Sequence, residues 1–96
     1  MAKALNDASI KGWLEARSGW KRDKKRIVKK FDLGSFRDSI VFVNRVATLA
    51  DNADHHPDID IRYDQVVIGL STHDAGGITE KDLELAEKID FATSTR

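Results

Sequence analysis

Histidine is the side chain whose unperturbed pKa, about 6.5, lets it give and take protons near neutrality. All three histidines of this chain, His55, His56 and His73, lie within one stretch from Asp51 to Asp82. They sit in the blocks Asp54-His55-His56-Pro57 and Ser71-Thr72-His73-Asp74. The segment between these blocks reads as two short strands with a tight turn. If the strands pair antiparallel, the ends that carry the histidines come together. One imidazolium can then protonate a leaving hydroxyl while another imidazole accepts a proton elsewhere on the same molecule, which is what a dehydration requires. Each transfer is worth roughly 10² to 10⁴ in rate, or about 3 to 5 kcal/mol. Asp51, one helical turn before His55, and the neighbouring Asp54 and Asp74 can orient or tune the rings. A three-histidine metal site with an open position is a competing use of the same residues. Adjacent residues rarely direct both rings at one ion, so no metal is expected. The third use is none at all: surface histidines beside acids are common.

Composition narrows the setting. Ninety-six residues predict a single domain over 1–96, small enough that oligomerisation would help to cover apolar surface. An apolar share of 41% with 33% charge marks a globular chain rather than a disordered one. No apolar run approaches the roughly 20 residues that cross a bilayer, and the polar start lacks the apolar core of a signal peptide. The expected location is cytoplasmic, with no membrane partner. The absence of cysteine excludes disulfides, thiolate metal sites and a cysteine nucleophile. Lys21, Arg22, Lys24, Lys25, Arg26, Lys29 and Lys30 crowd one segment, yet the net charge is zero. A solvated hairpin that resists edge pairing accounts for them better than a phosphate-binding stripe, so nucleic acid is not expected as a direct partner.

The elements that must position the histidines follow from local patterns. Met1 to Lys3 reads as a loose end. Asn6 caps a helix over about 7–17 with Ile10, Trp13 and Leu14 on one face. Strands over 20–22 and 26–31 turn through Asp23-Lys24-Lys25, although Ile27, Lys29 and Phe31 make an imperfect apolar face. Ser35, with Asp38 three residues on, starts a helix reaching about Ala53. Its stripe runs through Phe36, Ile40, Val43, Ala47 and Ala50, widened by Phe42, Val46 and Leu49. Pro57 disfavours helix at His56. Ile59, Ile61 and Tyr63 then alternate with polar residues as a half-buried strand, Asp64-Gln65 turns, and Val66, Ile68 and Leu70 form its partner. Gly76-Gly77 supplies a loop, and Thr79 with Asp82 caps a last helix over about 80–92, Ile78 stapling onto Leu83. The order α-β-β-α-β-β-α predicts an α+β two-layer sandwich, a four-stranded antiparallel sheet with three helices on one face.

These residues also carry a likeness. Asp51, His55-His56-Pro57, Tyr63, His73 and Asp82 stand at the spacing of the pterin-4a-carbinolamine dehydratase signature. The blocks 54–57 and 70–74, Gly19-Trp20 and the segment 77–82 resemble that family as well, so the likeness covers essentially the whole chain. The resemblance implies an enzyme that removes water from 4a-hydroxytetrahydropterin to give the quinonoid dihydropterin, within tetrahydrobiopterin recycling after aromatic amino-acid hydroxylation. It implies no cofactor, the pterin being the substrate. It implies a homodimer or homotetramer and leaves open a partner from the hydroxylation pathway.

Carried over by position, the resemblance makes His55 and His73 the acid and base candidates and gives His56 the task of holding the pterin. Asp54, Ser71, Thr72 and Asp74 fall with the histidines in the substrate-contacting blocks. Asp51, Pro57, Trp20, Tyr63 and Asp82 fill supporting positions. Asp51 stands where related sequences often carry glutamate, which leaves the reach of its shorter side chain in question. Trp20 matches a tryptophan near the family's pocket, and a core role fits it equally. The resemblance extends to non-catalytic members that act as a transcription-factor dimerisation partner or as assembly chaperones. Chaperone-like members tend to have lost the histidines that this chain keeps.

Overall fold

A computed structural model describes residues 2–94; Met1, in the expected loose end, lies outside the described residues. Asn6 caps α1 (Asp7–Glu15), its side-chain oxygen accepting from the Ser9 amide at 2.8 Å. The helix stops two residues short of the expected Arg17. The amides of Ala16 and Arg17 bond back to Trp13 and Leu14, a tightened last turn. Gly19 then turns the chain at φ +87°, where an added Cβ would meet Lys29 Cε at 2.9 Å.

The strands are β1 (Lys21–Asp23) and β2 (Arg26–Asp32), so Trp20 precedes the strand in which it was expected and the turn falls on Lys24-Lys25. Lys24 takes the left-handed conformation there. Next, α2 spans Phe36–Ala53 as predicted, with the Ser35 hydroxyl accepting from the Asp38 amide at 3.1 Å. Its buried face is rotated from the expected stripe: Ser39, Phe42, Val46 and Ala50 point inward while Phe36 and Ala47 are exposed. Phe42 sets this face by packing on Phe31 of β2, with ring centroids 4.8 Å apart.

The second hairpin joins β3 (Asp58–Arg62) to β4 (Gln65–Leu70) through Tyr63-Asp64, one residue earlier than expected. Register decides this. Pairing Ile59 with Ile68 and Ile61 with Val66 places the apolar sets of both strands on the helix-bearing face, and only two residues remain for the loop. Tyr63 therefore takes a left-handed φ of 55°, and the Asp64 carbonyl accepts from the Leu33 amide at 2.8 Å. Half-burial of β3 is not observed: all five residues are exposed because β3 is an edge strand beyond the cover of the helices.

The sheet order is β1-β2-β4-β3, antiparallel throughout. The last helix, α3 (Glu80–Ser94), runs past the expected Ala92. One buried cluster unites Ile10 of α1, Phe42 and Val46 of α2 and Leu83, Leu85 and Ile89 of α3 with Ile27, Val66, Ile68 and Leu70, so all three helices cover one face of the sheet. Lys29 also points to that face. Its ammonium meets Asp90 Oδ1 at 2.8 Å, and Trp20 Nε1–H donates to Asp90 Oδ2 at 2.9 Å. This explains how a lysine sits among the apolar residues of β2. No helix among the described residues is long and apolar enough to cross a membrane.

Candidate active site

The end of α2 places the first histidine. Asp54 adopts the left-handed conformation (φ 49°), its amide donates to the Asp51 carbonyl at 3.2 Å, and the His55 amide donates to the Ala50 carbonyl at 3.1 Å. Two backbone bonds around a left-handed residue make a Schellman cap. The cap turns His55 back over the body of the domain, and its side chain retains only 11% of its exposure.

There His55 Nε2 lies 2.6 Å from Oδ1 of Asp82, which is fully buried. Asp82 is at the third position of α3, and its Oδ2 accepts from the Thr79 amide at 2.8 Å, the capping bond read from the sequence. The same oxygen accepts from the Thr72 hydroxyl at 2.9 Å, and the hydroxyls of Thr72 and Thr79 lie 2.7 Å apart. One carboxylate thus ties together the end of α2, the exit of β4 and the start of α3.

The same tie fixes the loop that bears His73. Thr72 and Gly77 bridge antiparallel, the Thr72 amide donating to the Gly77 carbonyl at 2.8 Å, and His73 to Ala75 form a single 3₁₀ turn between them. His73 and Asp74 are exposed on this turn. Across the hairpin, Asp58 pairs with Gly69, so His56 and Ser71 stand two residues further out at the same end of the sheet. His56 is 62% exposed and its Nε2 lies 2.9 Å from Asp51 Oδ1, which shows that the aspartate reaches this ring. His55 and His56 therefore take separate carboxylates. Ser71 lines a cleft of about 400 Å³ with Asp23, Lys24, Lys25 and Arg26.

Not every predicted site residue meets here. Tyr63 is in the turn at the opposite end of the β3–β4 hairpin from Pro57. Trp20 is buried against Asp90, which lies about 12 Å along α3 from Asp82 at 1.5 Å per residue. Thr72, expected at the substrate, is buried with its hydroxyl engaged by Asp82 and Thr79. Thr79 was read only as a helix cap. Its second task had no local signal beyond Thr-x-x-Asp, because the bonds that reveal it come from Thr72 and, through Asp82, from His55.

The fold and site define a class: a small α+β sandwich that holds a carboxylate-anchored histidine beside two further histidines at the open end of a hairpin. The family model described as pterin 4 alpha carbinolamine dehydratase matches residues 3–92. A relative from Roseiflexus castenholzii, provisionally named pterin-4-alpha-carbinolamine dehydratase, is 54% identical over 94% of this chain and 97% of its own. One from Sulfolobus acidocaldarius with the same provisional name is 44% identical over 88% and 93%. The crystal structure of a transcriptional coactivator/pterin dehydratase from Brucella melitensis superposes with a TM-score of 0.90 at 28% identity, covering 94% of this chain and 98% of that one. A pterin dehydratase-like protein identified as a RuBisCO assembly factor shares the fold at a TM-score of 0.69 and 23% identity, over 83% and 95%. The chain belongs to the pterin-4a-carbinolamine dehydratase family.

Proposed function

We propose that this chain is a hydro-lyase that removes water from 4a-hydroxytetrahydropterin and so takes part in tetrahydrobiopterin recycling. The observation that carries the reading is the contact between His55 Nε2 and Asp82 Oδ1, made by a carboxylate that also secures the His73 loop through Thr72. A ring held in one orientation is pre-positioned for proton transfer. In the reaction the C4a–O bond breaks and the hydroxyl leaves as water with a proton from one imidazolium. The electron pair that replaces the bond comes from a ring N–H whose proton passes to a second imidazole. His55 and His73 take these two roles, and His56, exposed and oriented by Asp51, holds the pterin. The residues at 54, 71 and 74 supply further contacts. The chemistry calls for no metal or organic cofactor, and the exposed edge strand β3 favours association of two or four copies.

The test is stopped-flow absorbance of 4a-hydroxytetrahydropterin generated in place, with the protein, without it, and with a His55→Ala/His73→Ala double variant. Because the substrate also dehydrates unaided, the protein-dependent excess rate is what counts. An excess that vanishes in the double variant supports the dehydratase. No excess from the folded protein would transfer the family likeness to a binding or assembly role.

A further inference from the structure

With Asp82 as a carboxylate, the donors and acceptors around it follow from one another. A carboxylate only accepts, and a threonine hydroxyl has one hydrogen. The Thr72 hydroxyl gives its hydrogen to Asp82 Oδ2 at 2.9 Å, so at the 2.7 Å contact with Thr79 it must accept. The Thr79 hydroxyl is therefore the donor there, and its own oxygen accepts from the Lys81 amide at 3.2 Å. Oδ2 also receives the Thr79 amide at 2.8 Å. With two donors on Oδ2, the other oxygen is turned to His55, and the 2.6 Å contact requires a hydrogen on Nε2. Among the described residues Nδ1 of His55 has no hydrogen-bond partner, nor is it a sealed, unsatisfied atom.

We propose that Thr72 and Thr79 are positioning residues whose directed hydroxyl chain orients Asp82, holds His55 in its Nε2–H tautomer and presents Nδ1 as the nitrogen that exchanges a proton with the ligand. The catalytic consequence rests on the dehydratase reading; the tautomer does not. The chain of bonds runs Lys81 N–H to Thr79 O–H to Thr72 O–H to Asp82, and it ends on a ring 27 residues away in sequence from that carboxylate. Every member but the ring is set by the cap of α3 and the Thr72–Gly77 bridge, so the orientation exists before any ligand arrives.

The experiment is long-range ¹H–¹⁵N correlation of histidine-labelled protein at a pH where the rings are neutral, with His55 assigned by comparison with His56→Ala and His73→Ala. The native protein is expected to show His55 with its hydrogen on Nε2. In Asp82→Asn the Thr79 amide, which can only donate, claims the side-chain oxygen and turns the NH₂ group to His55. The ring must then accept at Nε2, and its hydrogen is expected to move to Nδ1. Thr72→Val is expected to mix the two tautomers and to lower kcat by up to about 10²-fold with KM unchanged, the size of effect of a misplaced reacting group. Thr72→Ser, which keeps the hydroxyl, should restore both. A native His55 protonated on Nδ1, or an Asp82→Asn protein that keeps the Nε2–H form, overturns the proposal even if Thr72→Val does not fold. So does a folded Thr72→Val protein that loses rate while its ring stays purely Nε2–H. Tautomers as expected in a protein without dehydratase activity would sink the dehydratase reading alone.

Discussion

His55 and Asp82 meet through Nε2 and Oδ1 at 2.6 Å, a contact that fastens the end of α2 to the start of α3. The carboxylate has two tasks at once, since its second oxygen caps α3 while the first holds the ring. Such sharing separates the expected effects of substitutions that the sequence alone would treat alike.

Replacing either acid–base candidate with alanine should lower the protein-dependent dehydration rate by about 10²-fold or more. The stability effects should differ. His55→Ala leaves a buried carboxylate oxygen without its partner and is expected to cost about 1–3 kcal/mol. His73→Ala removes an exposed side chain and should stay within about 0.5 kcal/mol of the native protein. Urea unfolding of both variants checks this, and equal stabilities would contradict the burial argument.

Asp82→Ala removes the cap bond and strands the Thr72 hydroxyl and the Thr79 amide in a buried site. The expected loss is about 2–4 kcal/mol. In a domain of this size each kcal/mol lowers Tm by about 4–8 °C, so calorimetry would resolve the effect readily. A Tm within a degree or two of the native value would mean that water replaces the carboxylate.

If His56 holds the pterin as proposed, His56→Ala should raise KM while changing kcat little, because its exposed ring pairs with Asp51 and not with the Asp82 network. Asp51→Ala should act in the same direction and more weakly, since an exposed pair of this kind contributes only about 0.2–1 kcal/mol. Steady-state kinetics on both variants would expose the opposite pattern, a fall in kcat at constant KM.

Glu87 gives the fold a small acid sensitivity. The Trp13 indole N–H donates to its carboxylate at 2.9 Å and holds the pKa below the usual 4.5, outweighing the opposing effect of burial, with the Arg17 guanidinium adding to the lowering. A depressed carboxylate stabilises the folded state at pH above its unfolded value, and that contribution is lost as pH falls through the folded value. The carboxylate is 46% exposed, so the effect is screened. Glu87→Gln should therefore melt slightly below the native protein at neutral pH, with the gap closing below about pH 4. A gap that persists or widens in acid would refute the assignment.

What could be read from the chain was whatever rests on neighbours in sequence. Ser35 with Asp38, Asn6 and Thr79 with Asp82 were read as caps, and each closes over three residues, Asn6 onto the Ser9 amide. The rotation of the α2 face was hidden because Phe36 and Phe42 fit helical spacing equally well until Phe31 selects one of them. The Tyr63 turn was hidden because a bulky residue disfavours positive φ and only strand register forces it there. The histidines stood out by type, while Asp82 was read locally as a cap and placed at the site only by the family resemblance. Lys29 with Asp90 and Thr72 with Asp82 are long-range pairings that no local pattern announces.

Asp54 combines a cap with a position in the proposed substrate block, and substitution can separate the two. Its left-handed φ of 49° suits glycine better than any other residue, so Asp54→Gly should keep or raise stability, by up to about 1 kcal/mol. A branched side chain fits that conformation badly, so Asp54→Val should lower stability by about 1–2 kcal/mol. If the exposed carboxylate also meets the pterin, the glycine variant will fold normally and show a raised KM. An unchanged KM would confine Asp54 to turning the chain so that His55 can reach Asp82.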